Sequence, residues 1–179
     1  MDILAEVLDR VRLGGTLLFH FELGHPWSLR LAQRPYAMFH YLSRGSATLA
    51  LEEGREFRMT EGDLVVVTRG EPHVIYSDRQ TTPVPVTDLA RPPAHPGVVR
   101  HGGGEQPSST MICGNFTVAR PSRGSVLELL PPVLRLKPTE DGGWLETILK
   151  RMVSESALER PGQGVALSRL TEVLFVEVL

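Results

Sequence analysis

Six short runs of strand-forming residues dominate the chain between Thr16 and Ala119 and constrain its fold more than any other feature. Each run is rich in Val, Leu, Phe, Tyr and Thr, and turn signals such as His25-Pro26 and Glu61-Gly62 separate them. The runs are Thr16–Leu23, Tyr36–Leu42, Ala47–Glu52, Asp63–Thr68, His73–Ser77 and Met111–Ala119. Short strands separated by turns over about a hundred residues are typical of antiparallel sandwiches and barrels, so we predict a mainly β fold.

Helical periodicity flanks this strand region on both sides. In Asp2–Leu13 the apolar residues recur at helical spacing and Gly14-Gly15 follows, which predicts a short helix and its C-terminal stop. Apolar positions also form a stripe over Trp144–Met152, and the pattern resumes over Val165–Leu179 after a break at Pro161-Gly162. The sequence therefore predicts a pair of C-terminal helices.

The segment between Thr81 and Ser109 has a different composition from the runs on either side of it. It contains six prolines and the run Gly102-Gly103-Gly104. Because such residues favour turns over regular structure, we expect an irregular loop over the barrel, of the kind that often carries function or acts as a lid.

Composition excludes several classes of protein. Nineteen Lys and Arg against 21 Asp and Glu give a formal charge of -2, whereas a free-standing nucleic-acid binder needs a basic excess. An aromatic content of 6% argues against a base-stacking platform. The single cysteine excludes a disulfide framework and a multi-cysteine zinc site. No apolar stretch predicts a signal peptide or a membrane span, so we expect a cytoplasmic protein.

The motif with the clearest chemistry extends from Phe39 to His73. Gly45 and Gly62-Asp63 lie where turns join adjacent strands, and the Asp63 carboxylate is suited to bonding the backbone of its turn. Pro72 restricts the backbone just before the strand that carries His73. This succession resembles the core of the cupin superfamily, whose fold is a small antiparallel jelly-roll β-barrel.

Segments along nearly the whole chain also resemble, in order, the N-terminal cupin-type sensor domain of AraC-type transcriptional regulators. They are Pro26–Arg30, Phe39–Gly45, Gly62–His73, Pro83–Pro85, Gly102–Gly104, Ile112–Phe116, Leu130–Leu134 and Arg169–Phe175. The resemblance implies a domain that binds a small-molecule effector, forms a homodimer and signals to a DNA-binding helix-turn-helix module. Nothing in this sequence is similar to that module. We therefore expect the sensor half only, without direct nucleic-acid or membrane contact.

The same resemblance implies a division of the chain into two parts. Residues 1–140 would form the effector-binding cupin-like barrel with its N-terminal helix. Residues 141–179 would form the C-terminal helices, which pack or dimerise and lead to the absent DNA-binding module.

The resemblance also bears on metal binding, because enzymatic cupins hold a metal with two His and a Glu of a first motif and a His of a second. Counted back from Gly45, the first-motif positions fall near Ala32, Arg34 and Met38, and only the second-motif His73 is retained. A single histidine gives too few ligands, so we expect neither the ordinary cupin metal chemistry nor an enzyme, and no cofactor.

Four residues remain as candidates for a ligand site in the barrel: Trp27, His40, His73 and Cys113. The last three lie on three predicted strands and together make a reasonable zinc set. The alternatives are hydrogen-bonding or structural histidines and a buried, inert cysteine. Trp27 either stacks on a ligand at the barrel mouth or fills the core.

The sequence thus leaves three functions open. The first is the effector-sensing and dimerisation domain of an AraC-type regulator. The second is a small stand-alone cupin metalloenzyme, an isomerase or dioxygenase. The third is a dimerisation module whose barrel is filled by its own side chains.

Overall fold

Two β-sheets and three helices make up the described part of the molecule. The computed structural model describes residues 12–89, 98–119, 127, 130–137, 143–158 and 160–179. The strands are β1 (Arg12–Gly24), β2 (Ser28–Leu31), β3 (Ala37–Arg44), β4 (Ser46–Leu51), β5 (Glu56–Thr60), β6 (Leu64–Val67), β7 (His73–Tyr76), β8 (Val84–Pro85), β9 (Val98–Gly102), β10 (Ser109–Ala119) and β11 (Val133–Leu136). The helices are α1 (Val86–Leu89), α2 (Trp144–Ser156) and α3 (Gln163–Val178).

The strands form a six-stranded sheet in the order β11-β6-β3-β10-β1-β9 and a five-stranded sheet in the order β5-β4-β7-β2-β8. Within the described ranges the two sheets share no strand, so they pack face to face as an open sandwich. The pairs β1–β9 and β2–β8 are parallel. The prediction of a mainly β fold is confirmed. Within the described residues the two sheets are not closed into the predicted barrel and two strand pairs are not antiparallel, so the jelly-roll detail stays a prediction.

Each of the six runs predicted as strands overlaps a strand of the structure and extends at most one residue beyond it at either end, and the C-terminal helical pair is present as α2 and α3. The sequence pattern missed β2, β5, β8, β9 and β11. β5 is an edge strand with charged, exposed Glu56 and Arg58, and β9 lies inside the Pro/Gly-rich segment predicted to be irregular. Pairing with neighbouring strands, which local sequence does not encode, fixes these elements.

The prediction of an N-terminal helix over Asp2–Leu13 falls mostly outside the described residues, but its last two residues begin β1. Gly14 and Gly15, predicted as a helix stop, are paired strand residues of β1. A Cβ atom on Gly15 would lie 2.3 Å from Thr171 Cγ2 of α3. This glycine therefore serves the close approach of α3 to the sheet.

Two apolar layers result from this arrangement. One lies between the sheets, and the other lies between the outer face of the six-stranded sheet and helices α2 and α3. Strand β3 contributes to both, because successive side chains point to opposite faces. Met38 and Leu42 belong to the inner layer, whereas Ala37, Phe39 and Tyr41 belong to the helix layer.

The helix layer ties α2 and α3 to the sheet in one continuous core. The division of the chain at residues 140 and 141 thus separates strands from helices without separating their cores, and as a domain boundary it stays a prediction. Among the described helices, none is both long and apolar enough to cross a membrane.

Candidate functional site

His40, His73 and Cys113 meet between the two sheets. Strand β3 places His40 directly opposite Cys113 of β10, and β7 brings His73 from the other sheet. Cys113 Sγ lies 3.1 Å from His40 Nδ1, and His40 Nε2 lies 2.8 Å from His73 Nε2. The chain of contacts ends at the backbone, where His73 Nδ1 lies 2.7 Å from the Glu71 carbonyl oxygen.

These contacts assign the protons on both rings. The Glu71 carbonyl oxygen only accepts, so His73 Nδ1–H donates to it and His73 Nε2 is left as an acceptor. His40 Nε2–H then donates to His73, and His40 Nδ1 accepts from the Cys113 thiol. The result is a hydrogen-bond chain that runs in one direction and satisfies both neutral imidazoles.

Burial keeps this chain uncharged. His40 is 0% exposed, His73 1% and Cys113 3%. Burial lowers the pKa of His40 well below its ordinary value, and the neighbouring His73 adds to that effect. Burial also lowers the pKa of His73, against the opposing hydrogen bond to the Glu71 carbonyl. Burial raises the pKa of the Cys113 thiol, the opposite of what a reactive cysteine requires.

The three side chains contact one another in sequence, from Cys113 through His40 to His73. The two ring nitrogens of His40 contact different partners, so they do not converge with Cys113 Sγ on one point. Across the described ranges, no three His, Cys, Asp or Glu side chains are grouped so as to hold a metal ion. A zinc ion held by this set stays a prediction, for which His40 would have to turn.

Trp27 belongs to the same inner layer but not to the hydrogen-bond chain. It is fully buried just before β2, and its backbone N–H donates to Ser77 Oγ over 3.0 Å. A Cβ atom on Gly102, the last residue of β9, would lie 3.1 Å from Trp27 Cβ, so the Trp27 side chain packs against the end of that strand. Within the described part of the chain Trp27 Nε1 has no hydrogen-bond partner. Its contact with a ligand stays a prediction.

Asn115 is an inward-facing polar residue that the sequence reasoning missed. It lies two residues after Cys113 on β10 and is 8% exposed. Among the described residues its Oδ1 atom has no hydrogen-bond partner. The only sequence signal for it is its position, because residues two apart on a strand share a face.

The predicted turn residues adopt the geometry that their types favour. Gly45 and Gly62 have φ angles of 89° and 88°, in the left-handed region that favours glycine. Asp63 accepts hydrogen bonds from the Thr60 backbone N–H and pairs with Arg135, each at 2.7 Å. Burial opposes ionisation of Asp63, but these partners outweigh it and lower the pKa of the carboxyl.

A second buried polar cluster joins the helices to the sheet. Glu155, fully buried at the end of α2, pairs with Arg160 at 2.6 Å and with Arg151 at 2.8 Å. Its neighbour Ser156 lies 2.8 Å from His20 Nδ1 of β1. The hydrogen bond from Arg160 is the main factor that lowers the pKa of Glu155. This cluster fixes the corner between α2 and α3 against β1.

The outer edge of the six-stranded sheet carries a pocket of about 600 Å³. Its lining includes Gly24 at the end of β1 and the run from Arg100 to Pro107. Arg100 and Glu22 form an exposed ion pair at 2.7 Å there. None of the four predicted ligand residues lines this pocket. The sequence predicted an irregular loop that includes residues 100–107 but did not predict a pocket there.

Comparisons with known proteins give the chain its relatives. A family model for cupins matches residues 2–179. The chain is 28% identical over 138 residues to a Streptomyces lividans protein named as an AraC-like transcription regulator, covering 76% of this chain and 44% of that one. It is 18% identical over 182 residues to the HTH-type transcriptional regulator AlkR of Acinetobacter baylyi, covering 99% and 60%. The chain thus spans about half the length of the curated relatives it matches.

Solved structures include two of ToxT from Vibrio cholerae. The apo form aligns with a TM-score of 0.46 and 8% identity over 92% of this chain and 52% of that one. The form with bound unsaturated fatty acid aligns with a TM-score of 0.44 and 10% identity over 93% and 52%. The two curated relatives are named as an AraC-like and an HTH-type transcription regulator, and the match of the family model over residues 2–179 shows that the chain belongs to the cupin family.

Proposed function

We propose that this chain is the effector-sensing domain of an AraC-type transcriptional regulator and that it is not an enzyme. The names of its relatives support a regulatory role. The observation that carries the proposal is the hydrogen-bond chain from Cys113 through His40 to His73. Its members are neutral, buried and bonded to one another, so they provide a polar but uncharged interior and no activated nucleophile or base.

In this proposal a small molecule binds between the sheets and shifts the balance between two arrangements of sheet and helices. Strand β3 suits that purpose because it carries His40 on the inner face and Phe39 and Tyr41 against the helices. A change at the inner face therefore has a short path to α2 and α3. DNA contact belongs to a separate module, and the location we propose is the cytoplasm.

Thermal unfolding of the purified chain across a panel of neutral and charged metabolites tests the sensing role. We expect at least one compound to raise the melting temperature in a concentration-dependent way. At a hundredfold excess over its Kd, such a compound should raise the free energy of unfolding by about 2.7 kcal/mol. Elemental analysis of the same protein measures its bound metal and so distinguishes the sensor from the metalloenzyme alternative. Stoichiometric iron, nickel or manganese together with turnover would contradict a sensor without catalytic activity.

We also propose that the domain forms a homodimer through the outer face of α3. Val165, Val173 and Val176 are 67%, 42% and 42% exposed on this helix. Exposed apolar residues grouped on one face are a common feature of protein interfaces. Light scattering should show a dimer for the native chain and a monomer for Val173→Asp. Arg58→Ser, an exposed change on β5 and outside this helix, is the control and should leave the dimer intact.

A further inference from the structure

Asn115 sits in the inner layer with an unused hydrogen-bond acceptor. Cys113 faces the space between the sheets, because its sulfur contacts His40. Asn115 follows two residues later on β10 and so faces the same way. It is 8% exposed, and among the described residues Oδ1 has no donor within reach. A buried carbonyl oxygen without a donor is costly, so such groups call for an explanation.

The residues beside Asn115 in the six-stranded sheet form the surroundings of its Oδ1 atom. The register joins one residue from each of five strands into a row: Thr16, Asn115, Met38, Val67 and Val133. Thr16 is exposed and Val133 is half-buried, whereas Met38 and Val67 are buried. Val67 ends β6, Val133 begins β11 and Met38 is the second residue of β3, so the row lies at one end of the inner layer, beside the row that carries His40 and Cys113.

The chemistry of this row selects a class of ligand. Met38, Val67 and Val133 present only apolar surface, and the row contains no charged side chain. The nearby thiol and imidazole atoms already bond one another, so they do not compete for a ligand's donor group. No donor among the described residues, the Thr16 hydroxyl of the same row included, bonds to Asn115 Oδ1.

We propose that Asn115 is a specificity-determining residue that accepts a hydrogen bond from a neutral, mainly apolar ligand carrying a hydroxyl or N–H group. This inference rests on the sensing function proposed above and names the ligand class for the same interior. The apolar part of the ligand lies along Met38, Val67 and Val133. Its donor group satisfies the oxygen that the protein leaves unpaired.

Two isomeric probes isolate the donor group. 1-Octanol and heptyl methyl ether have the same atoms, but only the alcohol donates a hydrogen bond. Calorimetric titration of the purified chain gives the ratio of their dissociation constants, and the same ratio is measured for Asn115→Leu. We expect the preference for the alcohol to fall about tenfold in the variant, which corresponds to about 1.4 kcal/mol.

Control variants make the result specific. Thr16→Val removes a hydroxyl from the same row and should keep the ratio within about twofold of the native value. Asn115→Ala, which cannot overpack, should lose the preference as Asn115→Leu does. Without ligand, Asn115→Leu should melt at the same temperature as the native chain or higher, because it removes an unpaired buried acceptor.

The outcomes separate this inference from the sensing function. The inference is overturned if neither isomer binds, if the alcohol-to-ether ratio is unchanged in both Asn115 variants, or if Thr16→Val abolishes it. It is also overturned if both Asn115 variants unfold, since the amide would then be structural. If any of these occurs while another metabolite stabilises the chain saturably, the sensing function stands without Asn115. If no compound in the panel binds, both fail.

Discussion

The two apolar layers of the molecule bury different kinds of side chain. Between the sheets, the inward-facing residues include the polar groups of His40, His73, Cys113 and Asn115. They are linked in a chain or, in the case of Asn115, left without a partner in the described part of the molecule. Because burying polar groups costs free energy, an interior kept for stability alone would be filled with apolar residues.

The layer beneath the helices differs in that its buried polar groups have partners. At its corner Glu155 pairs with Arg151 and Arg160, and Ser156 contacts His20. Elsewhere in this layer Phe116 stacks on Phe39 and on Phe175 at 4.9 and 4.7 Å. The difference assigns ligand recognition to the inner layer and stability and coupling to the helix layer.

The largest expected loss of stability lies in the helix layer. Phe175→Ala removes a fully buried ring that stacks on Phe116, so it should lower the free energy of unfolding by about 3–5 kcal/mol. Urea denaturation measures the change. The control Val98→Ala, at an exposed valine of β9 outside the proposed dimer face, should cost less than about 1 kcal/mol. Equal losses for the two variants would contradict the assignment.

A smaller loss is expected where α3 approaches β1. Gly15→Ala places a methyl group against Thr171 Cγ2, which should cost about 1–3 kcal/mol. Thr171→Ser removes that methyl and keeps the hydroxyl, which donates to the Leu167 carbonyl oxygen. The double variant should therefore regain much of the lost free energy. Failure of Thr171→Ser to rescue would show that this contact does not set the spacing of helix and sheet.

The inner layer should respond to pH. The folded-state pKa values of His40 and His73 lie below their ordinary value of 6.5, so the unfolded chain binds more protons. Stability is then complete above about pH 6.5 and falls as the pH drops, by at most about 1.4 kcal/mol per pH unit for each histidine. Denaturation at pH 7.5, 6.5 and 5.5 measures this slope, and His40→Gln should flatten it. The exposed His25→Gln is the control, and a slope that His40→Gln leaves unchanged would place the titrating group elsewhere.

The sequence predicted the meeting of His40, His73 and Cys113 only in part. Strand alternation indicates that His40 shares a face with Met38 and Leu42, but β3 is buried on both faces. Hydrophobicity therefore does not distinguish inward from outward there. The pairing of β3 with β10, which lie about seventy residues apart, brings the thiol to the imidazole. Such non-local register is set by tertiary packing and not by a local pattern.

Local signals also misled where one residue type serves two purposes. Gly14-Gly15 is typical of a helix end, yet here both residues lie in β1 and Gly15 admits the neighbouring helix α3. The prolines and glycines before Ser109 predict a loop, yet β9 forms within that segment and pairs in parallel with β1. Asn115 has no motif of its own. Its significance comes from the missing partner, which only a three-dimensional structure reveals.

The central claim is that the inner layer is the sensing region, and ring ¹⁵N NMR of the histidines tests it most directly. Without ligand, the spectrum should show His40 protonated at Nε2 and His73 at Nδ1. Saturation with the compound that stabilises the chain most should shift both sets of ring resonances. Saturable binding that leaves the resonances of both rings unchanged would contradict the claim.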